Sequence, residues 1–188
     1  MKFGRLLIAS VTVLLLSCTS VFAHEKKWPE RRLREVWPEA KSFISKQISL
    51  TASQISELTV DGFKTNSNER SPTFYLAQEM DSASSKLVTR GAILFIDETG
   101  DNGGMEISVA MGNDGKIKKI KLWESSESPL VNSDDFLNQF VGKSAKDSIV
   151  AGKEYKAVSV APKASQAVAS AAQKALKISN KIFEKKSE

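Results

Sequence analysis

The chain predicts an α+β domain: one antiparallel sheet packed with helices drawn from both ends of the sequence. Three observations carry this. Between Thr73 and Trp123, period-two alternation is punctuated by Gly- and Asn-rich turns, the pattern of strands joined by hairpins. From about Pro162 to Phe183, Ala164, Val168, Ala171, Ala175, Ile178 and Ile182 recur at spacings of three and four and form one apolar helical stripe. The region of about 28–60 also carries helical spacing. Helices flanking a strand-rich middle are the α+β arrangement.

The leader comes first. Trp28 to Gln47 reads as helical, interrupted at Pro38, with Leu33, Val36 and Trp37 on one apolar side and Phe43 and Ile44 on the next. Thr51-Ala52-Ser53-Gln54 matches a capping box, so a second helix begins there, buries Ile55 and Leu58 and stops at Asp61-Gly62. Asn66 to Pro72 reads as a loop by composition. Thr73 to Gln78 reads as a strand. Leu87 to Asp97 holds Ala92-Ile93-Leu94-Phe95-Ile96, an apolar run suited to a strand buried on both faces.

Met105, Ile107, Val109 and Met111 alternate in the next strand. Gly112-Asn113-Asp114-Gly115 then turns the chain back into Lys116–Trp123, where Ile120 and Leu122 alternate with lysines. Ser133 caps a short helix holding Phe136, Leu137 and Phe140, with Asp134 and Asp135 in its first turn. A strand-like run from Tyr155 then meets the last helix at a tight Ser-Val-Ala-Pro corner. A corner of this kind aims backbone N–H groups outward, and Pro162 suits the first helical turn because no N–H is needed there.

Composition bounds the function. Lys2 and Arg5, the apolar run Leu6–Leu16 and the small residues around Ala23 read as a secretory signal over residues 1–23, with residues 24–188 as one domain (core about 73–183). The expected location is periplasmic or extracellular. Cys18, the only cysteine, sits in a loose lipoprotein-like box, so the alternative is a lipid anchor. Loss of residues 1–23 removes Lys2 and Arg5 and takes the net charge from +5 to +3. The lysine-rich segments read as solvated faces and do not point to nucleic acid. His24 is the only histidine, which excludes a Ser-His-Asp triad and a multi-His metal centre. Asp97, Glu98 and Asp101, beside Gly100, Gly103 and Gly104, read as a solvated turn.

The order of motifs resembles a known family. Gly104 precedes a strand, and Asp114-Gly115-Lys116-Ile117 follows it. Glu127-Ser128-Pro129 comes next, then Phe136-Leu137-Asn138-Gln139-Phe140-Val141-Gly142-Lys143, then Ala157-Val158-Ser159-Val160-Ala161-Pro162 ahead of an Ala-rich helix. This succession is similar to the FMN-binding domain family, the extracytoplasmic flavin-carrying type attached to membrane redox complexes. The likeness runs from about Glu30 to Leu176. It implies electron relay rather than catalysis on a small substrate, with a membrane redox complex or another exported electron carrier as partner.

In many members of that family FMN is esterified to a Thr in the corner. Here Pro162 stands at that position and has no hydroxyl, Val160 stands where a Gly is expected, and Lys156 replaces an acidic residue. The resemblance therefore implies FMN held without a covalent bond, or, as the alternative, a flavin-free binding or scaffold module that keeps the fold. The residues it implicates are Ser159, Ala161, Pro162, Lys163 and Ser165 at the phosphate. Trp123, Glu127 and Ser128 would lie at the ring, and Gly104 ahead of its strand.

Overall fold

The computed structural model describes residues 28–63, 65–123 and 125–183. The proposed signal, Cys18 and His24 lie outside them. Five strands form one antiparallel meander in chain order: β1 (Ser42–Gln47), β2 (Thr73–Met80), β3 (Leu87–Thr99), β4 (Gly104–Gly112) and β5 (Ile117–Trp123). Gly115 takes φ +72 in the β4–β5 turn, a left-handed position that glycine reaches without a Cβ penalty.

Each face of the sheet has its own cover. Ala92, Leu94, Ile96, Ile107, Val109, Ile120 and Leu122 point to the face crossed by α5 (Pro162–Phe183). On that helix Ala164, Val168, Ala171, Ala175 and Ile178 are all fully buried, as their spacing predicts. Four of the five are Ala or Val, so the helix lies close to the strands. The opposite face holds Tyr75, Ile93, Ala110 and Trp123, and Leu33 and Val36 of α1 (Glu30–Val36) cover it together with Trp37, the residue that ends the helix.

The helix α2 (Ala52–Val60) begins with the predicted capping box. The Thr51 hydroxyl accepts from the Gln54 N–H and the Gln54 side chain accepts from the Thr51 N–H. The helix α4 (Asp134–Leu137) is capped by Ser133, as expected.

Two local expectations are corrected. The segment of Phe43 and Ile44 is the edge strand β1, paired from Ser42↔Gln78 to Gln47↔Thr73, and not the second half of a leader helix. Phe43 turns into the core and Ile44 outward, 48% exposed. Two adjacent apolar residues fit either period, and pairing with β2 decides between them. The supposed loop at 66–72 contains α3 (Ser67–Arg70), one turn closed by a second capping box between Asn66 and Glu69.

Candidate functional site

The corner before α5 is held from beneath. Phe136, Phe140 and Tyr155 form an aromatic cluster, with ring centroids 5.2 to 6.2 Å apart. Gln139 reaches across to the approaching chain. Its amide oxygen accepts from the Lys156 N–H at 2.7 Å and its amide nitrogen donates to the Lys156 carbonyl at 3.3 Å. This approach is no regular strand, since Tyr155 makes only an isolated bridge with Ala151. The Gly142 N–H donates to the Ile117 carbonyl, and the Ile117 N–H donates to that of Lys143. The Phe136–Lys143 motif is thus a brace between β5 and the corner.

The turn closes on itself. The Ala161 N–H donates to the Val158 carbonyl, and the Ala161 carbonyl accepts from the Ser165 N–H, which starts the helix. The Ser165 hydroxyl is fully buried. It accepts from the Val158 N–H at 2.9 Å and donates to the Ala161 carbonyl at 2.8 Å. Ser165 therefore builds the corner rather than facing a ligand. Ser159, Pro162 and Lys163 are exposed, Ala161 is buried, and Val160 is 70% exposed.

The first turn of α5 offers backbone donors at Lys163 and Ala164, because Pro162 has none. The Ala164 N–H is already engaged: it donates to Asp101 Oδ2 at 2.8 Å. Asp101 lies in the β3–β4 turn, where the Gly100 N–H donates to the Gly103 carbonyl. Glu127 anchors this turn from the other side. Its carboxylate accepts from the Asn102 N–H at 2.6 Å and from the Asn102 side chain at 3.4 Å. A Cβ on Gly100 would stand 2.3 Å from Glu127 Oε1 and 3.1 Å from the Ala164 Cβ, so the absence of a side chain lets turn, loop and helix start meet with Glu127 in this position.

Beside this junction an open pocket of about 300 Å³ is lined by Leu122, Ser125, Glu127, Ser128, Pro129 and Asn132. Glu127 belongs to both pocket and junction. Ser128 caps the short 3-10 turn Pro129–Asn132 by accepting from the Leu130 N–H. Gly104 opens β4 opposite Thr99, with open space where a Cβ would be.

Trp123 lies elsewhere. Its indole N–H donates to the Ser108 hydroxyl at 2.9 Å on the face covered by α1, between Arg32 and Lys121. The structure thus brings Glu127 to the helix start beside Ala161, Pro162 and Lys163, and leaves Trp123 on the other side of the sheet. The sequence reads Asp101 as part of a solvated turn and does not show that it caps the helix start. Its contact with Ala164 spans 63 residues, and no local pattern marks it.

The fold and corner define an α+β domain that presents a helix N-terminus, backed by a glycine turn, to an anion. Residues 100–177 match the model of the FMN-binding domain. The match runs from the glycine turn through the pocket loop to the middle of α5, and it supports flavin binding. No curated protein matches the chain.

The donor set decides what kind of flavin binding the residues fit. Pro162 has no hydroxyl, so no phosphoester forms at that position. The Ala164 N–H holds an oxyanion, the carboxylate of Asp101, at this helix start. A phosphate at this helix start would meet the backbone donors of Lys163 and Ala164, the second of which Asp101 already engages.

Proposed function

We propose that this protein is an exported flavoprotein that takes FMN without a covalent bond and serves extracytoplasmic electron transfer, beside a membrane redox complex or another exported electron carrier. The observation that carries this reading is the family match, which spans the β3–β4 turn, the pocket loop and the helix start together. The Lys163 and Ala164 N–H groups would hold the phosphate, and the Lys163 ammonium would add positive charge. Glu127 and Ser128 would border the ring from the pocket. Bound FMN supplies the redox chemistry through its isoalloxazine ring, while the protein orients and tunes it. Export rests on the pattern of residues 1–23.

The test is to incubate the mature protein with FMN, desalt it, and record the absorbance spectrum and the intact mass. Retained flavin absorbance that denaturant releases, with no added mass, is the expected result. Absence of flavin absorbance at every FMN concentration overturns it. One observation favours the second reading, a flavin-free binding or scaffold module. Asp101 already satisfies the Ala164 N–H, so the corner is complete without a ligand. An unchanged spectrum on FMN titration, together with full stability, selects that reading.

A further inference from the structure

We infer that Asp101 is an exchangeable internal anion, a carboxylate that closes the start of α5 and must leave before a phosphate group enters. The helix runs 22 residues from Pro162, and its N-terminal partial charge attracts one anion strongly. With Pro162 lacking an N–H, the first turn has few donors, and Asp101 Oδ2 holds the Ala164 N–H at 2.8 Å. A phosphate arriving while Asp101 stays would meet a like charge at contact distance, which is repulsive even near a surface.

The geometry favours movement of the side chain over movement of the loop. Glu127 pins the turn by accepting from the Asn102 N–H and side chain. Asp101 itself is exposed, so its carboxylate rotates into water at small cost. Asp101 therefore sets the affinity for phosphorylated ligands and leaves unphosphorylated ones unaffected. This inference rests on the flavin reading, because the family match is what points to a phosphorylated ligand at this corner.

The experiment uses the mature chain as wild type, Asp101→Ala and Asp101→Asn. Thermal unfolding is followed with inorganic phosphate, with chloride as the ionic-strength control, and dissociation constants are measured for FMN and for riboflavin. Asp101→Ala is expected to melt lower without ligand and to gain a phosphate-dependent rise in Tm that the wild type lacks. Its FMN affinity is expected to rise about tenfold, the scale of one charge at a helix start, while riboflavin affinity stays within twofold. Asp101→Asn keeps an acceptor for the Ala164 N–H without the charge and is expected to fall between the two. It carries the test if the alanine variant does not fold. Equal phosphate and FMN responses in wild type and variants overturn the inference, as does riboflavin tightening as much as FMN. Phosphate stabilisation of Asp101→Ala with no binding of either flavin keeps the anion exchange and removes the flavin reading.

Discussion

The Lys174 ammonium lies 2.9 Å from a carboxylate oxygen of Glu69 and 2.9 Å from one of Glu98. This joins α3, α5 and β3 at a place where the Glu69 side chain is only 3% exposed. One ammonium serves two carboxylates. The Asn66 N–H donates to Glu69 at 2.8 Å and the Ser170 hydroxyl to Glu98 at 3.0 Å, which gives each carboxylate a second partner. The α5 lysines read as a solvated face in the sequence, but this one is a buried strut. Lys174 thus ties the helix near its middle to α3 and β3, while Asp101, the contact at its start, is itself exposed.

Lys174→Met is expected to destabilise the protein by about 3 kcal/mol, because it keeps the aliphatic stem but leaves the buried Glu69 without its counter-charge. Urea unfolding measures this directly. The double variant Lys174→Met/Glu69→Gln is expected to recover part of the loss. A loss under about 0.5 kcal/mol in the single variant would mean that the three groups behave as an exposed surface set.

The same cluster gives stability an alkaline dependence. Burial pulls the Lys174 pKa down, but the hydrogen bonds to Glu98 and Glu69 outweigh it and leave it raised above the usual lysine value. A group whose folded pKa is raised contributes fully below its unfolded pKa and loses that contribution as pH climbs through the folded one. Unfolding free energy is therefore expected to hold through neutral pH and to fall above about pH 10.4, and Lys174→Met is expected to flatten that fall. A denaturation series at rising pH on both proteins checks it.

Two glycines separate rigid from yielding contacts. A Cβ at Gly91 would stand 2.1 Å from the Met111 carbonyl oxygen and 2.4 Å from the Trp37 ring, and a paired strand and a buried indole have no room to give. Gly91→Ala is expected to cost about 3 kcal/mol by overpacking. At Gly100 the closest obstacle is the end of the Glu127 side chain, which swings away once it releases the Asn102 N–H. Gly100→Ala is expected to cost about 1.5 kcal/mol, the scale of one charge-assisted hydrogen bond. Guanidinium unfolding of both variants tests the order, and a reversal would place the rigid contact at the turn.

Residues that act within one element were legible. The alternation in β4 and β5, the Thr51–Gln54 box and the stripe from Ala164 to Ile178 follow from periods and caps, and each stands where the pattern put it. The brace motif was legible as a string, but its mechanics were not. That Gln139 bonds the Lys156 backbone, or that Asp101 caps Ala164, depends on where distant segments dock. Phe43-Ile44 misled because two apolar neighbours fit a helix or an edge strand alike, and the choice lay in the β2 partner. Trp123 misled for a related reason. Its neighbour Leu122 faces α5 and the pocket, and a one-residue step along a strand changes the face.

Trp123→Phe turns that last point into a measurement. The indole N–H donates to the buried Ser108 hydroxyl, and the Arg32 and Lys121 side chains lie over the ring on the face covered by α1. Replacing it with Phe keeps the apolar bulk but removes the donor. Stability is expected to drop by about 1 kcal/mol, the usual net worth of one such hydrogen bond. The pocket and the start of α5 lie across the sheet, so FMN affinity is expected to stay within twofold of wild type, whereas Asp101→Ala changes it about tenfold. A Trp123→Phe variant that keeps its stability and loses flavin would move the ring site to the α1 face and away from the Glu127 pocket.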